Sequence, residues 1–121
     1  MPTQKQALGS WGEQRAAEYL QGRGYQIVAR NVRGEYGEID LLARQGEVLV
    51  FVEVKARSSA WFGHPEEAIT PLKQQHLLDS ALDYLQAHPD QDGDWRVDVI
   101  SVRRMKNGRT EVLHFENALD G

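Results

Sequence analysis

The sequence predicts an α/β fold whose elements follow the order α-β-β-β-α-β-β. Two segments place apolar residues at the spacing of amphipathic helices. Five shorter segments are strand-like, since they are rich in apolar β-formers and are bounded by Gly, Pro or polar turn residues. No internal repeat or low-complexity tract interrupts this order. We therefore expect one domain over residues 1–121, with a core at about 9–116 and loose ends.

The first helix is predicted over residues 10–21. Ser10 and Glu13 match the capping-box pattern, in which two side chains satisfy backbone N–H groups at the start of a helix. Gly22 and Gly24 then end the helix. Its apolar stripe consists of Ala16, Ala17, Tyr19 and Leu20.

The remaining elements are five strands and a second helix. The strand at residues 48–54 is apolar on both faces, which is typical of a central strand. Pro71 at the first helical position, after a Thr70 cap, predicts a second helix that runs to about Ala87. A loop at residues 58–70 precedes it. The strands are predicted over residues 25–32, 38–43, 48–54, 95–103 and 110–115.

Acidic residues and a lysine lie on the second and third strands, which a short turn joins. If residues 45–46 form a two-residue hairpin loop, Glu38 faces Glu53. Side chains alternate along a strand, so Glu38, Asp40, Glu53 and Lys55 then project from one face. Three carboxylates held there repel one another unless a cation lies between them. Mg²⁺ fits, because it prefers a few carboxylate oxygens and water.

The same residues also have a structural interpretation. Glu38 and Asp40 can form the solvated face of a half-exposed strand, and Glu53 with Lys55 can form a cross-strand ion pair. Charged residues at the end of a strand that is apolar on both faces favour a functional site instead. An aspartate followed on the next strand by Glu-x-Lys is the arrangement that metal-dependent nucleases use to cut phosphodiesters.

Other titratable residues leave alternatives open. Glu13 shares a helix face with Ala17 and Leu20, so it either only closes the capping box or also reaches the acidic cluster. Asp98 lies within a strand, where an exposed or edge position is favoured over a part in the site. The histidines lack zinc-ligand spacing and are expected at the surface or at helix caps. They are His64, His76, His88 and His114.

Composition limits the class of protein. The net charge of −4 and the pI near 5.5 argue against a general nucleic-acid coating protein, since such proteins are strongly basic. No apolar run approaches the ~18 residues of a membrane span, and the start lacks the apolar segment of a signal peptide. The absence of cysteine excludes disulfides and thiolate metal sites. We therefore expect a cytoplasmic protein without a membrane association.

Cations near the acidic strands are the candidate phosphate contacts. Arg30 and Arg33 precede the second strand, Arg57 follows the third strand, and Lys73 lies on the second helix. A further basic segment at residues 103–109 also fits a solvated hairpin turn.

Several motifs together resemble the YraN-like family of small bacterial proteins. The resemblance covers residues 9–102, nearly the whole chain. The motifs are Gly12-Glu13, ARNVR at 29–33, GEIDL at 37–41, FVEVKAR at 51–57, FGHP at 62–65, KQQ at 73–75 and VDVI at 97–100. The family looks like a branch of the PD-(D/E)xK nucleases, and its core motif is similar to that of archaeal-type Holliday-junction resolvases.

The resemblance implies a restriction-endonuclease-like fold, in which a mixed sheet is flanked by helices. It makes Asp40 the motif aspartate, Glu53 and Lys55 the ends of the (D/E)xK motif, and Glu13 the helical acid. Ile39 departs from the pattern, since the superfamily motif has Pro before its aspartate.

The implied activity is that of a metal-dependent endonuclease that acts on DNA, including branched or recombination intermediates. Asp40, Glu53 and Glu13 would hold Mg²⁺ or Mn²⁺, with Lys55 as the catalytic lysine beside Asp40 and Glu53. Glu38 would support the ligands. Nucleic acid would contact Arg33, Arg57 and Lys73. No small-molecule cofactor is expected.

Two other functions stay open at this point. One is a non-catalytic nucleic-acid-binding or adaptor protein that retains the nuclease fold, which the acidic pI favours. The other is a structural partner protein that uses Trp61 and Phe62 as a contact patch. A homodimer through that loop is compatible with an enzyme that must cut two strands.

Overall fold

The computed structural model describes residues 1–58 and 69–119. The described part of the chain forms one five-stranded sheet and two long helices. The predicted order α-β-β-β-α-β-β is confirmed. The elements are α1 (Gln4–Gly22), β1 (Gln26–Gly34), β2 (Gly37–Gln45), β3 (Val48–Arg57), α2 (Pro71–Ala87), β4 (Trp95–Arg104) and β5 (Thr110–Phe115).

The sheet is mixed, as expected, and its strands lie in sequence order from β1 to β5. β3 and β4 pair in parallel, whereas the other three neighbouring pairs are antiparallel. A parallel pair needs a long connection, and α2 lies within it. The predicted central position of β3 is confirmed, because it is the third strand of five.

The two helices cover opposite faces of the sheet. Ala16, Ala17 and Leu20 of α1 belong to one buried cluster, which also contains Val50 and Val52 of β3. The other cluster contains Leu77 and Ala81 of α2 together with Leu42, Leu49 and Phe51. Burial on both faces explains why β3 has few polar residues before Glu53.

α1 begins six residues earlier than the sequence predicted, at Gln4 instead of Ser10. Thr3 is the N-cap, and its hydroxyl accepts a hydrogen bond from the Gln6 N–H at 3.1 Å. The Gln6 side chain in turn accepts from the Thr3 N–H at 2.9 Å. The capping box proposed for Ser10 and Glu13 is therefore wrong, because the same pattern at Thr3 starts the helix earlier.

The β2–β3 hairpin has a different register from the predicted one. Gln45 lies opposite Val48 and Leu42 lies opposite Phe51, so the loop is Gly46-Glu47 and the prediction of residues 45–46 is wrong. Gly46 has a φ of 59°, which suits a hairpin turn that needs glycine at its first central position. Each pairing moves by two residues, which keeps the side-chain parity of the prediction.

Asp98 is fully buried, so the expectation of an exposed or edge position is wrong. It accepts hydrogen bonds from Arg96 Nε at 2.9 Å and from the Asn117 N–H at 2.9 Å. Its Oδ2 lies 2.8 Å from His114 Nε2. His114 is thus an internal residue, contrary to expectation. Asn117 is likewise fixed, although a loose C-terminal end was expected.

The other histidine and terminal predictions have mixed outcomes. His88 is the C-cap of α2 and His76 is exposed, as expected. Ala118 donates a backbone hydrogen bond to Val97, which also fixes the chain after β5. His64, Trp61 and Phe62 lie outside the described residues. No helix in the described part of the chain is long and apolar enough to cross a membrane.

Candidate metal centre

The candidate site forms where β2 and β3 separate. Their ladder ends with Leu41 opposite Val52. Immediately beyond it, Asp40 Oδ2 accepts a hydrogen bond from the Val54 N–H at 2.8 Å. The Asp40 carboxylate therefore takes the place that a backbone acceptor of β2 would occupy in a continued ladder, and it lies between the two strands.

β2 departs from regular alternation at this point. Ile39 and Leu42 both pack into the α2-side cluster, although residues three apart on a regular strand point to opposite faces. The Asp40 carboxylate therefore lies in the gap between the strands, where its side chain also interacts with that of Glu53.

Three acids from α1 and β2 lie together at this gap. Glu13, Glu38 and Asp40 each offer a carboxylate oxygen within 4.8 Å of the other two. Burial, followed by the charge of Glu38, raises the pKa of the Glu13 carboxyl above its ordinary value. Glu13 thus reaches the acidic cluster, which the sequence had left as one of two alternatives.

Gly12 brings α1 close enough for this contact. A Cβ built on Gly12 would lie 2.6 Å from the Cβ of Ala56. The helix backbone therefore packs directly on the end of β3, and the next residue, Glu13, reaches the gap between β2 and β3.

Asp40 is the most strongly perturbed of the acids. Burial and then the charge of Glu53 raise its pKa to about 8, and the hydrogen bond from Val54 opposes this rise. Ionisation of this carboxyl group is unfavourable unless a positive group lies close to it.

Glu53 connects the acids to two lysines. Its side chain is 5% exposed, and its Oε1 lies 3.3 Å from Lys55 Nζ and 3.5 Å from Lys73 Nζ. Its Oε2 is buried and has no hydrogen-bond partner among the described residues. A buried carboxylate oxygen is costly to leave unsatisfied, so Glu53 needs either the proton of Asp40, whose side chain interacts with it, or a cation.

Asn31 is a member of the site that the sequence reasoning missed. With its amide nitrogen turned towards the acids, it donates to Glu38 Oε1 at 2.6 Å and to Glu13 Oε1 at 3.2 Å. Its backbone has a φ of 52°, a conformation that Asn tolerates better than most residues. The sequence feature that pointed to Asn31 was an Asn within a strand-like segment.

The flanking arginines have partners of their own. Arg33 Nε lies 3.3 Å from Glu38 Oε2, and the Arg33 side chain is 83% exposed. Arg30 donates to Gln14 on α1 at 2.8 Å. Arg57 lies at the end of β3, beyond Lys55. Glu38 itself lies inside the acidic cluster, whereas a supporting position was predicted for it.

The donor set fits a hard divalent cation. It consists of carboxylate oxygens, which suit Mg²⁺ and Mn²⁺, and it contains no thiolate or imidazole. The unpartnered Glu53 oxygen and the raised pKa of Asp40 are the features that a nearby cation would relieve.

Comparison with known proteins identifies the family. The profile of the Uncharacterised protein family UPF0102 matches residues 12–102. The chain belongs to this family. The predicted YraN-like recognition is therefore confirmed. A UPF0102 protein of Beutenbergia cavernae is 46% identical over 91% of this chain and 93% of its own length. One from Syntrophomonas wolfei is 43% identical over 92% and 96% of the two chains.

Among solved structures, Pyrococcus furiosus SfsA in complex with Ca²⁺ is similar to this chain, with a TM-score of 0.42 and 14% identity. The match covers 90% of this chain and 64% of SfsA.

Proposed function

We propose that this UPF0102 protein is a metal-dependent endonuclease that cuts DNA. The observation that carries the proposal is the convergence of four carboxylates and a lysine at one end of the sheet. Glu13, Glu38 and Asp40 are clustered, and Glu53 is adjacent to Asp40 and paired with Lys55. Without a cation, Asp40 has to keep its proton to limit the repulsion among these groups, as its raised pKa indicates.

The acids would hold the cation and the lysines would act beside it. Asp40, Glu13 and Glu38 offer one group of oxygens, and the free Oε2 of Glu53 offers another. A divalent cation bound there supplies the Lewis acidity that polarises a phosphate oxygen and activates water for attack.

Lys55 is suited to orient the attacking water and to offset the charge that builds on the phosphate. Its Nζ is held 3.3 Å from Glu53 Oε1, so its position is fixed relative to the acids. Lys73 approaches the same oxygen from α2. Glu53 thus holds two ammonium groups beside the acids.

The resemblance of the core motif to that of Holliday-junction resolvases supports DNA as the substrate, with branched intermediates included. The net charge of −4 is the observation that favours a second candidate, a non-catalytic nucleic-acid-binding adaptor. An adaptor needs neither a bound cation nor the Lys55 amine.

A cleavage panel separates the two candidates. Labelled four-way junction, flap, duplex and single-stranded DNA are incubated with wild type in Mg²⁺ or Mn²⁺. Asp40→Asn and Lys55→Met proteins are purified in parallel, and Glu111→Gln serves as a control because Glu111 is an exposed acid on β5. The matched purification exposes any contaminating nuclease.

We expect cutting by wild type and Glu111→Gln, and at least a 100-fold loss in the other two variants. Equal cutting by all four proteins would show that the activity lies elsewhere or belongs to a contaminant. Binding without cutting by wild type would favour the adaptor.

A further inference from the structure

A groove of about 530 Å³ extends from Lys55 between the start of α1 and the end of β3. α1 contributes Lys5 and Gly9 to its lining, and β3 contributes Lys55 and Arg57. The β2–β3 ladder has already ended at Val52, so this edge of β3 has no β2 partner beyond that residue. The groove thus starts at the candidate catalytic lysine and leads away from the acids.

The described side chains that line this groove are more positive than the chain as a whole, and one of the cations, Lys55, is also paired with Glu53. Three of the described residues that line it are cationic and none is acidic, although the chain carries a net charge of −4. Lys5 lies in the first turn of α1, which contains no acid. The positive end of a helix disfavours a cation in that turn, so helix stability does not explain Lys5.

We propose that this groove binds the nucleic-acid backbone on one side of the scissile phosphate, with a neighbouring phosphate held by Lys5 and Arg57. The inference rests on the proposed function, because it takes the acids around Asp40 as the point of cleavage. Cations are the groups that neutralise backbone phosphates, and their number sets the salt dependence of binding. Lys5 and Arg57 would therefore determine affinity and register, while Lys55 acts on the scissile phosphate.

Two glycines of α1 provide a matched test. A Cβ on Gly9, in the groove, or on Gly22, at the far end of the same helix, would have no atom within 4 Å. Gly9→Glu therefore places a negative charge at the groove without a clash at its Cβ, and Gly22→Glu adds the same charge remote from it. Gly9→Lys adds a positive charge at the same place, and a gain in affinity cannot result from misfolding.

Binding is measured by fluorescence anisotropy with the DNA that wild type binds most tightly in the panel. All variants carry Asp40→Asn, so that cleavage does not disturb the measurement. We expect Gly9→Glu to weaken binding at least tenfold, Gly22→Glu to change it less than twofold, and Gly9→Lys to tighten it. Lys5→Gln should reduce the slope of log affinity against log salt by about one.

A second arm replaces single phosphates near the cleavage position by neutral methylphosphonates. Neutralising the phosphate at one flanking position should weaken binding by the protein that retains Lys5 but not by Lys5→Gln. Equal binding by Gly9→Glu and Gly22→Glu, with an unchanged salt slope in Lys5→Gln, would overturn the groove assignment.

The two proposals fail differently. If wild type cuts DNA but the groove variants bind normally, the groove assignment is wrong and the nuclease stands. If nothing is cut but the Gly9 variants shift binding as expected, the groove binds nucleic acid in an adaptor. Without cleavage there is no scissile phosphate, so the part of the proposal that places Lys5 and Arg57 next to it is wrong.

Discussion

Gly12 and Ala56 are in direct contact where α1 crosses the end of β3, and a Cβ on Gly12 would lie 2.6 Å from the Cβ of Ala56. Because the Ala56 Cβ is fixed to its backbone, Gly12→Ala must push the helix away from the strand. We expect a loss of about 1–3 kcal/mol in the free energy of unfolding, as for other overpacked cores. Urea denaturation measures it.

Gly9→Ala is the control for that substitution. No atom lies within 4 Å of a Cβ built on Gly9, so this variant should gain about 0.5–1 kcal/mol from helix propensity. Adding Ala56→Gly to Gly12→Ala should restore most of the lost stability. If Gly12→Ala is as stable as Gly9→Ala, α1 does not depend on this contact.

The metal-free protein should lose stability as the pH rises. The pKa of Asp40 is raised from 3.8 to about 8, so the folded protein holds a proton that the unfolded chain releases between those values. This contribution to stability is complete below about pH 4 and is lost as the pH rises through about 8.

Asp40→Asn should remove that pH dependence. We measure the difference in Tm between the variant and wild type in EDTA. This difference should be at least about 4 °C more favourable to the variant at pH 9 than at pH 5, which corresponds to roughly 1 kcal/mol. Thermal unfolding at both pH values tests this, with Glu111→Gln as the control. A constant difference between Asp40→Asn and wild type would contradict the raised pKa.

Asn31 should matter for activity more than for folding. Asn31→Gly lets the backbone keep its φ of 52° but removes the amide that donates to Glu13 and Glu38. We expect stability within about 1 kcal/mol of wild type and cleavage lowered about 10–100-fold, as for residues that orient metal ligands. Asn31→Ala adds backbone strain of about 1–2 kcal/mol. Unchanged cleavage in Asn31→Gly would remove Asn31 from the site.

The Asp98 network should be structural. Asp98 is fully buried and accepts hydrogen bonds from Arg96 and Asn117. Asp98→Ala removes the buried carboxylate that pairs with the Arg96 charge and should cost about 3–5 kcal/mol. Asp94→Ala, at an exposed position before β4, is the control. A Cm in urea near that of wild type would show that the network contributes little.

The sheet was largely predictable, because its determinants are local. The apolar run of β3 and the glycines at the turns predicted the strands, and Thr70 with Pro71 predicted the start of α2. The hairpin register differed by two residues because Gln45-Gly46 and Gly46-Glu47 both place glycine in a two-residue loop. The backbone preference of a turn with glycine first decided between them.

The sequence predicted that residues of the candidate site lie close together, but not how they are arranged. Asp40, Glu53 and Lys55 lie on strands that the apolar residue pattern of the sequence predicts. Asp40 and Asn31 meet a partner on α1 that is distant in sequence, which a local pattern does not reveal. The same holds for Lys73, whose contact with Glu53 joins residues that are distant in sequence.

Calorimetric titration of the protein with Mn²⁺ tests the central claim most directly, namely that the acids around Asp40 form a divalent-cation site. Wild type, Asp40→Asn and Glu111→Gln are titrated at pH 8 in the absence of nucleic acid. We expect saturable binding to wild type and Glu111→Gln, and at least a tenfold weaker affinity in Asp40→Asn. Identical binding curves for wild type and Asp40→Asn, or no heat with either, would contradict the claim.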